Sequence, residues 1–434
     1  MNHKTIITGL IAFCSLTATA QDRLSFEQAL ELTLENNYEI RQAKVNSEIS
    51  KNSSSKSNNG YVPTLSANGG YNWTYYQGNN ELKTQNVEFD ANNSYSYNAT
   101  ANLNYVLYDG AGRKYNYLQA LENFTLSELQ IQQIVENSVV ELTSLYNETG
   151  RLQDNVNLLR ETLSISIERL KRARYSYEYG QGSQLNILSA RVDVNNDSIS
   201  LLNSIQEFSS TKRDLNYLMG VDISKEYTLD SIVSIRRDIQ QSEVLVSVEE
   251  NNNLLKSMEH SLKLNEYAIG SSKSKWMPTL SANAAYQYRG NNDPNGAFVI
   301  GSNNFGPNAG LNLSWNIFDA RTRVQVKNAR LQLENQKISN EALQENLKAK
   351  ALKAHGAYLN QLFVLSVQGD NVATAQKNFD RSTEAYKIGQ ISNLDFRQAQ
   401  LNLLNTKLAL SQARYNAKNS EAQVLALMGI LVKN

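Results

Sequence analysis

Apolar residues recur at alternating steps of four and three along two long stretches of the chain. In the first stretch, twelve of the sixteen positions reached by these steps are apolar. A seam sustained over so many heptads predicts a long helix that packs against other helices. We expect it to run from Gly112 to Tyr179, roughly 100 Å at about 1.5 Å per residue, with a counterpart from Arg321 to Ile388. The first seam consists of Tyr117, Leu121, Phe124, Glu128, Ile131, Val135, Ser138, Leu142, Leu145, Thr149, Leu152, Val156, Leu159, Leu163, Ser166 and Leu170.

Shorter helical patterns flank each long stretch. They cover about Ser25 to Asn59 and Ser183 to Met219 around the first, and Val244 to Lys275 and Ser392 to Met428 around the second. Each pattern is about half as long as a long helix, so two of them stacked end to end would match one. The sequence therefore predicts a mainly α chain with two long and four short helices, packed as helical hairpins.

Between the short and the long helices, the pattern changes to strict alternation, which predicts four β-strands. One face is apolar or small, and the other is expected to be uncharged and rich in Asn, Ser and Thr, with polar loops at 77–91 and 290–306. Strands of about ten residues with Tyr and Trp toward their ends are typical of a barrel wall between lipid and water. The apolar positions are Leu65, Ala67, Gly69, Tyr71, Trp73, Tyr75, Tyr95, Tyr97, Ala99, Ala101, Leu103, Tyr105 and Leu107, then Leu280, Ala282, Ala284, Tyr286, Tyr288, Ala309, Leu311, Leu313, Trp315 and Ile317.

A soluble amphipathic sheet would show the same alternation, so the pattern alone leaves both structures open. The uncharged polar face and the export signal described below favour the membrane barrel. Four strands cannot close a barrel, because about eight is the smallest number that does. An open sheet edge in lipid would leave backbone groups unsatisfied, so a barrel requires several subunits.

The chain is an internal duplication. The octapeptide Tyr61 to Asn68 returns as Trp276 to Asn283, with six residues identical, and three further blocks recur in the same order. These blocks are Glu35-Asn36-Asn37 with Glu250-Asn251-Asn252, Tyr177-x-x-Gly180-Gln181-x-Ser183-x-Leu185 with Tyr386-x-x-Gly389-Gln390-x-Ser392-x-Leu394, and Leu218-Met219-Gly220 with Leu427-Met428-Gly429. We therefore divide the mature chain into a first repeat (21–220), a linker (221–243) and a second repeat (244–434).

Residues 1–20 have the features of a secretory signal peptide. Lys4 precedes an apolar stretch, and Ala18-Thr-Ala20 forms a small-residue cleavage site. Cys14 is the single cysteine and lies within the apolar stretch after Phe13, which disfavours a lipid anchor. The mature chain is thus expected to be exported and to contain no thiol.

Composition and motifs argue against several functions. The 42 basic and 42 acidic residues balance, so no nucleic acid partner is implied. His3, His260 and His355 have no second histidine or cysteine at metal-ligand spacing, so no metal site or cofactor is expected. The Gly110-Ala-Gly112 sequence follows a strand, but Tyr115 replaces the third glycine of a dinucleotide fingerprint. We instead interpret Asp109 and Asp319 as acids that begin helices at the two strand-to-helix junctions.

The duplicated order of short helix, strand pair, long helix and short helix resembles the TolC-like outer-membrane efflux proteins over nearly the whole mature chain. The junctions Leu107-Tyr108-Asp109-Gly110 and Ile317-Phe318-Asp319-Ala320 and the Gly-Gln-x-Ser turns contribute to the resemblance. It implies a homotrimer with a 12-strand barrel in the outer membrane and a 12-helix tunnel in the periplasm. It also implies a periplasmic adaptor and an inner-membrane pump as partners.

The two helix turns, at Gly180 to Gln184 and Gly389 to Asn393, are separated from the strands by the long helices. We expect them to form the periplasmic mouth of the tunnel, with Ser183 and Ser392 beginning the following helices. By resemblance, Asp395 is a candidate for a ring of three carboxylates that narrows the mouth. An acid in the first turn of a helix is equally expected from the helix dipole alone, so this alternative stays open.

In the TolC-like proteins, further side chains help to close the mouth, and this chain differs from them at several of those positions. Asn186 stands where the first copy would supply a second acid, and Ile391 and Gln398 replace an arginine and another acid. Tyr177 and Tyr386 are retained for contacts across the turns.

The sequence, with this resemblance, thus predicts the outer-membrane channel of a tripartite efflux or type I secretion system, without catalysis, which conducts solutes or polypeptides passively to the exterior. The alternative is a soluble periplasmic coiled-coil adaptor or scaffold, which would share the heptads but would not need four alternating aromatic strands.

Overall fold

The computed structural model describes residues 23–82, 85–230, 234–292 and 300–431. The predicted signal peptide, residues 1–20, lies outside the described residues. Two long helices, α3 and α7, begin and end within one residue of the predicted positions. The helices are α1 Phe26–Asn36, α2 Tyr38–Ser53, α3 Gly112–Glu178, α4 Gln184–Leu218, α5 Gln241–Asn251, α6 Asn253–Ser274, α7 Ala320–Lys387 and α8 Asn393–Leu427. The strands are β1 Arg23–Leu24, β2 Thr64–Leu82, β3 Gln85–Tyr108, β4 Thr228–Leu229, β5 Thr279–Asn292 and β6 Gly301–Ser314.

The prediction of four short helices is wrong, because the described residues contain six. The expected helix 25–59 is broken at Asn37, whose side-chain Oδ1 accepts hydrogen bonds from the amides of Glu39 and Ile40 at 2.9 and 3.1 Å. The expected helix 244–275 is broken in the same way at Asn252, whose Oδ1 accepts from Leu254 at 3.0 Å. Asn favours such caps because its side chain replaces a backbone partner. The repeated Glu-Asn-Asn block is therefore a helix break in both copies.

The chain forms two compact units, each assembled from segments of both repeats. The first unit contains the described residues of Met1–Arg41, Val135–Val246 and Ala351–Asn434, and the second contains those of Gln42–Ile134 and Ser247–Lys350.

The first unit has an apolar core around a small parallel sheet. β1 pairs with β4, which lies in the expected linker, and Leu24 pairs with Leu229. The Tyr146 hydroxyl donates to the Leu24 carbonyl oxygen at 2.8 Å, and burial raises the pKa of Tyr146 to about 12. This pair of two-residue strands was not predicted, because two residues are too few to show alternation. The core consists of Leu24, Ala29, Leu142, Tyr146, Leu215, Leu218, Met219, Tyr227 and Leu229.

The second unit contains an antiparallel sheet in the order β2-β3-β5-β6. Its register carries one apolar row across all four strands, in which Leu65 pairs with Leu103, Leu103 with Ala284 and Ala284 with Ala309. The next row is polar apart from one alanine: Ser66 pairs with Asn102, Asn102 with Ala285 and Ala285 with Asn308. Because side chains alternate along a strand, the predicted apolar and polar faces are confirmed.

Two expectations for the sheet are wrong. The predicted loop 77–91 is largely strand, since β2 continues to Leu82 and β3 begins at Gln85, and the two strands pair beyond one bulge between Tyr76 and Gly78. Its many Asn, Gln and Gly residues obscure the alternation, although the backbone still pairs. Likewise, β5 reaches Asn292 and β6 starts at Gly301, and residues 293–299 of the other predicted loop lie outside the described part. The polar face is not wholly uncharged either, because Arg289 lies on it.

None of the helices in the described part of the chain combines the length and hydropathy needed to cross a membrane.

Candidate functional site at the helix turns

The two helix turns of the first unit have the same backbone geometry. Gly180 and Gly389 have φ values of +75° and +77°, in the left-handed region that favours glycine. In the first turn, the Gln181 amide donates to the Ser176 carbonyl at 2.8 Å, and in the second the Gln390 amide donates to the Ala385 carbonyl at 2.8 Å. These bonds satisfy the last carbonyls of α3 and α7 and end both helices abruptly.

The serines after the turns begin the next helices. The Ser183 hydroxyl accepts from the Asn186 amide at 3.4 Å, and the Ser392 hydroxyl accepts from the Asp395 amide at 3.1 Å. The Asp395 carboxylate closes a capping box, because its Oδ2 accepts from the Ser392 amide at 3.2 Å and from the Ser392 hydroxyl at 2.7 Å. Asp395 is exposed. Among the described residues, its Oδ1 accepts no hydrogen bond.

A cavity of about 770 Å³ lies between the turns. It brings together four of the predicted site residues, Asn186, Tyr386, Gly389 and Ser392. The other predicted residues do not line it. Tyr177 is 49% exposed, and Asp395 and Gln398 are exposed on the first turns of α8.

Tyr386 connects the turn to the helices behind it. Its ring stacks on Phe396 with centroids 4.6 Å apart, and its hydroxyl donates to Asn393 Oδ1 across the turn at 3.4 Å. The Arg172 guanidinium lies 5.9 Å from the ring centroid. Burial raises the pKa of the Tyr386 hydroxyl, and the charges of Arg169 and Arg172 oppose this rise.

A buried polar cluster, which the sequence did not reveal, lies behind the second turn. Arg397 of α8 binds Asp197 of α4 through two bonds, from Nη2 to Oδ1 at 2.7 Å and from Nη1 to Oδ2 at 2.9 Å. Ser166 of α3 donates to Asp197 Oδ2 at 2.6 Å. Gln400 accepts from Arg397 Nη1 at 3.2 Å and donates to the Thr162 carbonyl at 3.0 Å. These five residues are at most 8% exposed, so charge-assisted bonds tie three helices together away from water.

A second ion pair adjoins the first. Arg169 of α3, 2% exposed, binds Asp193 of α4, and Arg397 Nε lies 3.7 Å from the other oxygen of Asp193. Two arginines thus face two aspartates, which balances the charge. Burial lowers the pKa of Arg169, and the Asp193 carboxylate partly offsets this effect.

Spacing alone could not identify this cluster, because Arg397 is 200 positions from Asp197 and 231 from Ser166 along the chain. A weak signal was present. Ser166 is a polar residue within the apolar seam of α3, and it is fully buried. Asp193 and Asp197 are four residues apart, hence on one face of α4.

The strand-to-helix junctions, in the second unit, contain acids that bind helix amides. Asp109 Oδ2 accepts from the Arg113 amide at 2.7 Å. Asp319 Oδ1 accepts from the Arg321 amide at 2.9 Å. The hydrogen bond from the Thr322 hydroxyl, together with these amide contacts, lowers the pKa of Asp319.

The described residues contain no group of three or more His, Cys, Asp or Glu side chains that could hold a metal ion. His260 Nδ1 lies 2.6 Å from Glu122 Oε2, and His355 Nε2 lies 3.0 Å from the Ile239 carbonyl oxygen. Each ring therefore has a hydrogen-bond partner within the described residues.

Comparison with known proteins identifies the family. The sequence profile of the family described as "Outer membrane efflux protein" matches residues 29–221 and 244–430. The outer membrane efflux protein BepC of Brucella suis is 19% identical over 315 residues, 72% of this chain and 68% of that protein. The toluene efflux pump outer membrane protein TtgC of Pseudomonas putida is 24% identical over 435 residues, 93% of this chain and 83% of that protein.

Solved structures show the same fold. The Campylobacter jejuni CmeC outer membrane channel superposes with a TM-score of 0.76 at 16% identity, covering 94% of this chain and 86% of that one. The open state of the Neisseria gonorrhoeae MtrE outer membrane channel gives 0.69 at 16% identity, covering 93% and 88%. A soluble adaptor does not fit these matches. The chain belongs to the outer membrane efflux protein family, and it is an export channel of the outer membrane rather than an enzyme.

Proposed function

We propose that three copies of the chain form one duct, with a 12-strand barrel in the outer membrane and a 12-helix tunnel in the periplasm. The observation that carries the proposal is the sheet of the second unit. Its order leaves β2 and β6 at the edges, and four strands are too few to close. If β6 of one copy pairs with β2 of the next, three copies close a barrel of twelve strands that has no free edge. The backbone groups of the edge strands are then hydrogen-bonded in lipid.

The faces of the sheet support this arrangement. Large apolar side chains are exposed on one face of the single chain, including Leu65 at 76%, Tyr71 at 68% and Leu311 at 71%. Exposing several large apolar side chains on one face is costly in water and favourable against lipid. The opposite face, rich in Asn and Ser, would then line a water-filled lumen.

The turns are proposed to form the periplasmic mouth. Three copies would bring three Asp395 carboxylates around the axis, where crowded negative charge attracts cations and repels anions. The capping box does not prevent this role, because it uses only Oδ2 and leaves Oδ1 available to a passing ion.

The duct is further proposed to receive solutes or polypeptides from an inner-membrane pump through a periplasmic adaptor. The name of TtgC describes it as part of an efflux pump for toluene, which supports such an assembly for this chain. Cross-linking of the tagged protein in cells, followed by identification of a periplasmic coiled-coil adaptor encoded nearby, would support the partnership. Absence of any such adaptor among the cross-linked products would count against it.

The duct and its mouth can be tested by recording from the purified protein in planar bilayers. We expect a trimeric mass by light scattering and a cation-selective pore that multivalent cations block. Asp395→Ala should weaken both selectivity and block, whereas Ser392→Ala, which removes the cap partner but keeps the charge, should preserve both. A monomeric mass would contradict the barrel. Equal behaviour of Asp395→Ala and the parent would make Asp395 a helix-start acid only.

A further inference from the structure

Arg289 is the one charged side chain on the described wall of the sheet. The side chains described there, in residues 64–75, 93–108, 279–292 and 301–314, include no other Asp, Glu, Lys or Arg. Arg289 is exposed, and it pairs with Asn98 of β3 and Asn304 of β6. Asn98 in turn pairs with Gly70, so this row belongs to the polar face.

The described side chains around Arg289 include no counter-charge. Its neighbours on the same face of β5 are Gln287 and Asn291, and its partners across the ladder are Asn98 and Asn304. Among the described residues, no carboxylate forms an ion pair with Arg289. Asp293, four residues after Arg289, lies outside the described residues, and Asp90 of the first hairpin is eight residues from Asn98 along β3. Within the described part of the sheet, the guanidinium therefore has no acidic partner.

The position of Arg289 along the strand places it near the outer end of the wall. Ten residues separate Leu280 from Gly290, or about 34 Å at about 3.4 Å per residue. With the usual strand tilt this spans the roughly 25 Å apolar band of a barrel. Gly290 lies in the aromatic row, beside Tyr97, whose hydroxyl donates to Asn303 at 3.0 Å.

We propose that the three Arg289 side chains of the duct form an anion-binding ring at the outer end of the barrel lumen, which takes multivalent anions such as polyphosphates. The inference rests on the trimeric duct proposed above. It places guanidinium groups near the outer end of the lumen and carboxylates at the periplasmic mouth. Multivalent anions outside would be held at the ring.

Screening determines the conditions under which the ring acts. The Debye length is about 8 Å at physiological salt and about 30 Å at 0.01 M salt. In a wide lumen, most ions lie farther than about 8 Å from the wall, so physiological salt screens the guanidinium charge from them. One guanidinium and one anionic oxygen about 4 Å apart in water interact strongly enough for about a fivefold change in occupancy. The effect should therefore be clear in dilute salt and absent at 1 M.

Inorganic tripolyphosphate is a suitable probe in single-channel recordings. Added at the exterior side in about 0.01 M salt, it should block the parent and Arg289→Lys, and block Arg289→Gln about fivefold less strongly. The double variant Gln287→Arg/Arg289→Gln moves the charge two residues along the same face, and it should recover the block. A third comparison uses Arg289→Cys, since the mature chain is expected to contain no other thiol. Block should return after reaction with a cationic thiosulfonate, which reaches a lumenal thiol, and should not return after reaction with an anionic one.

The possible outcomes separate the two proposals. A conducting trimer whose block is the same in Arg289→Gln as in the parent overturns the ring and leaves the duct intact. A thiol at position 289 that aqueous reagents do not reach also overturns the ring, because the side chain would then face lipid. A purified protein that forms no pore overturns the duct, and the ring with it.

Discussion

Asp197→Asn would leave the Arg397 guanidinium buried without its bidentate partner. Arg397 would retain Gln400 and Ser166, at 3.2 and 3.1 Å from Nη1, and the more distant Asp193 carboxylate. Breaking a buried ion pair from one side costs about 3–5 kcal/mol, and these remaining contacts favour the lower end. A loss of about 3 kcal/mol in local stability corresponds to about 150-fold faster amide exchange.

Hydrogen exchange followed by mass spectrometry can measure this loss in the complete protein. The amides to follow are those of α4 around Asp197 and of the first turns of α8. Arg397→Gln should accelerate exchange to a similar extent, because it leaves Asp197 as the unpaired charge. The double variant should exchange more slowly than either single variant, since no buried charge is left unpaired and Gln400 still bonds to Ser166 at 3.2 Å.

A surface ion pair of the same unit provides the control. Lys407 and Glu161 lie 3.9 Å apart with side chains 26% and 61% exposed. Such a pair is worth about 0–1 kcal/mol, so Lys407→Gln should change exchange by less than about fivefold. If amide exchange in the double variant is accelerated by the product of the factors measured for the two single variants, Arg397 and Asp197 do not act as a pair. That result would refute the reasoning.

Two further changes test the wall and the helix breaks. Leu103→Arg should impair formation of the heat-stable trimer, because a cation near the middle of the lipid face costs about 2–4 kcal/mol, whereas Asn102→Arg on the polar face should be tolerated; equal losses on gel electrophoresis would show that the faces are reversed. Asn37→Ala should cost at least the about 0.5–2 kcal/mol of a lost cap, because it also removes the hydrogen bond from Asn37 Nδ2 to the Leu218 carbonyl at 2.9 Å; loss of the cap is measured as faster exchange at the start of α2. Asn36→Ala removes no cap bond, so its amides should exchange at the rate of the parent. If exchange is accelerated equally in both variants, loss of the cap is not the cause.

The elements that sequence patterns predicted well are those with a long, uniform period. The seam from Tyr117 to Leu170 is long enough to average over its polar exceptions, and it identifies α3 as one continuous helix. The strand faces also followed, because a period of two fixes the face once the register is set. Thus Leu103 and Asn102 could be assigned to opposite faces without coordinates.

Features that depend on a single side chain were missed. Asn37 breaks a helical pattern whose apolar periodicity continues past it, and only the hydrogen bonds of its amide show the break. The cluster of Arg397 and Asp197 joins residues 200 positions apart. Neither residue is unusual in sequence, since each lies on a helix where a charge would ordinarily face solvent.

The buried cluster can fix the alignment of neighbouring helices, which apolar seams alone cannot do. Leucine seams pack almost equally well after a shift of one heptad, because knobs and holes repeat. A guanidinium that binds one carboxylate at 2.7 and 2.9 Å fits a single alignment of α4 and α8. Any shift would bury an unpaired charge, and the penalty for that exceeds the net gain from forming the pair. The cluster is therefore better understood as fixing the alignment of the helices behind the turn than as adding stability, and slower exchange in the double variant than in the single variants is the result that this view requires.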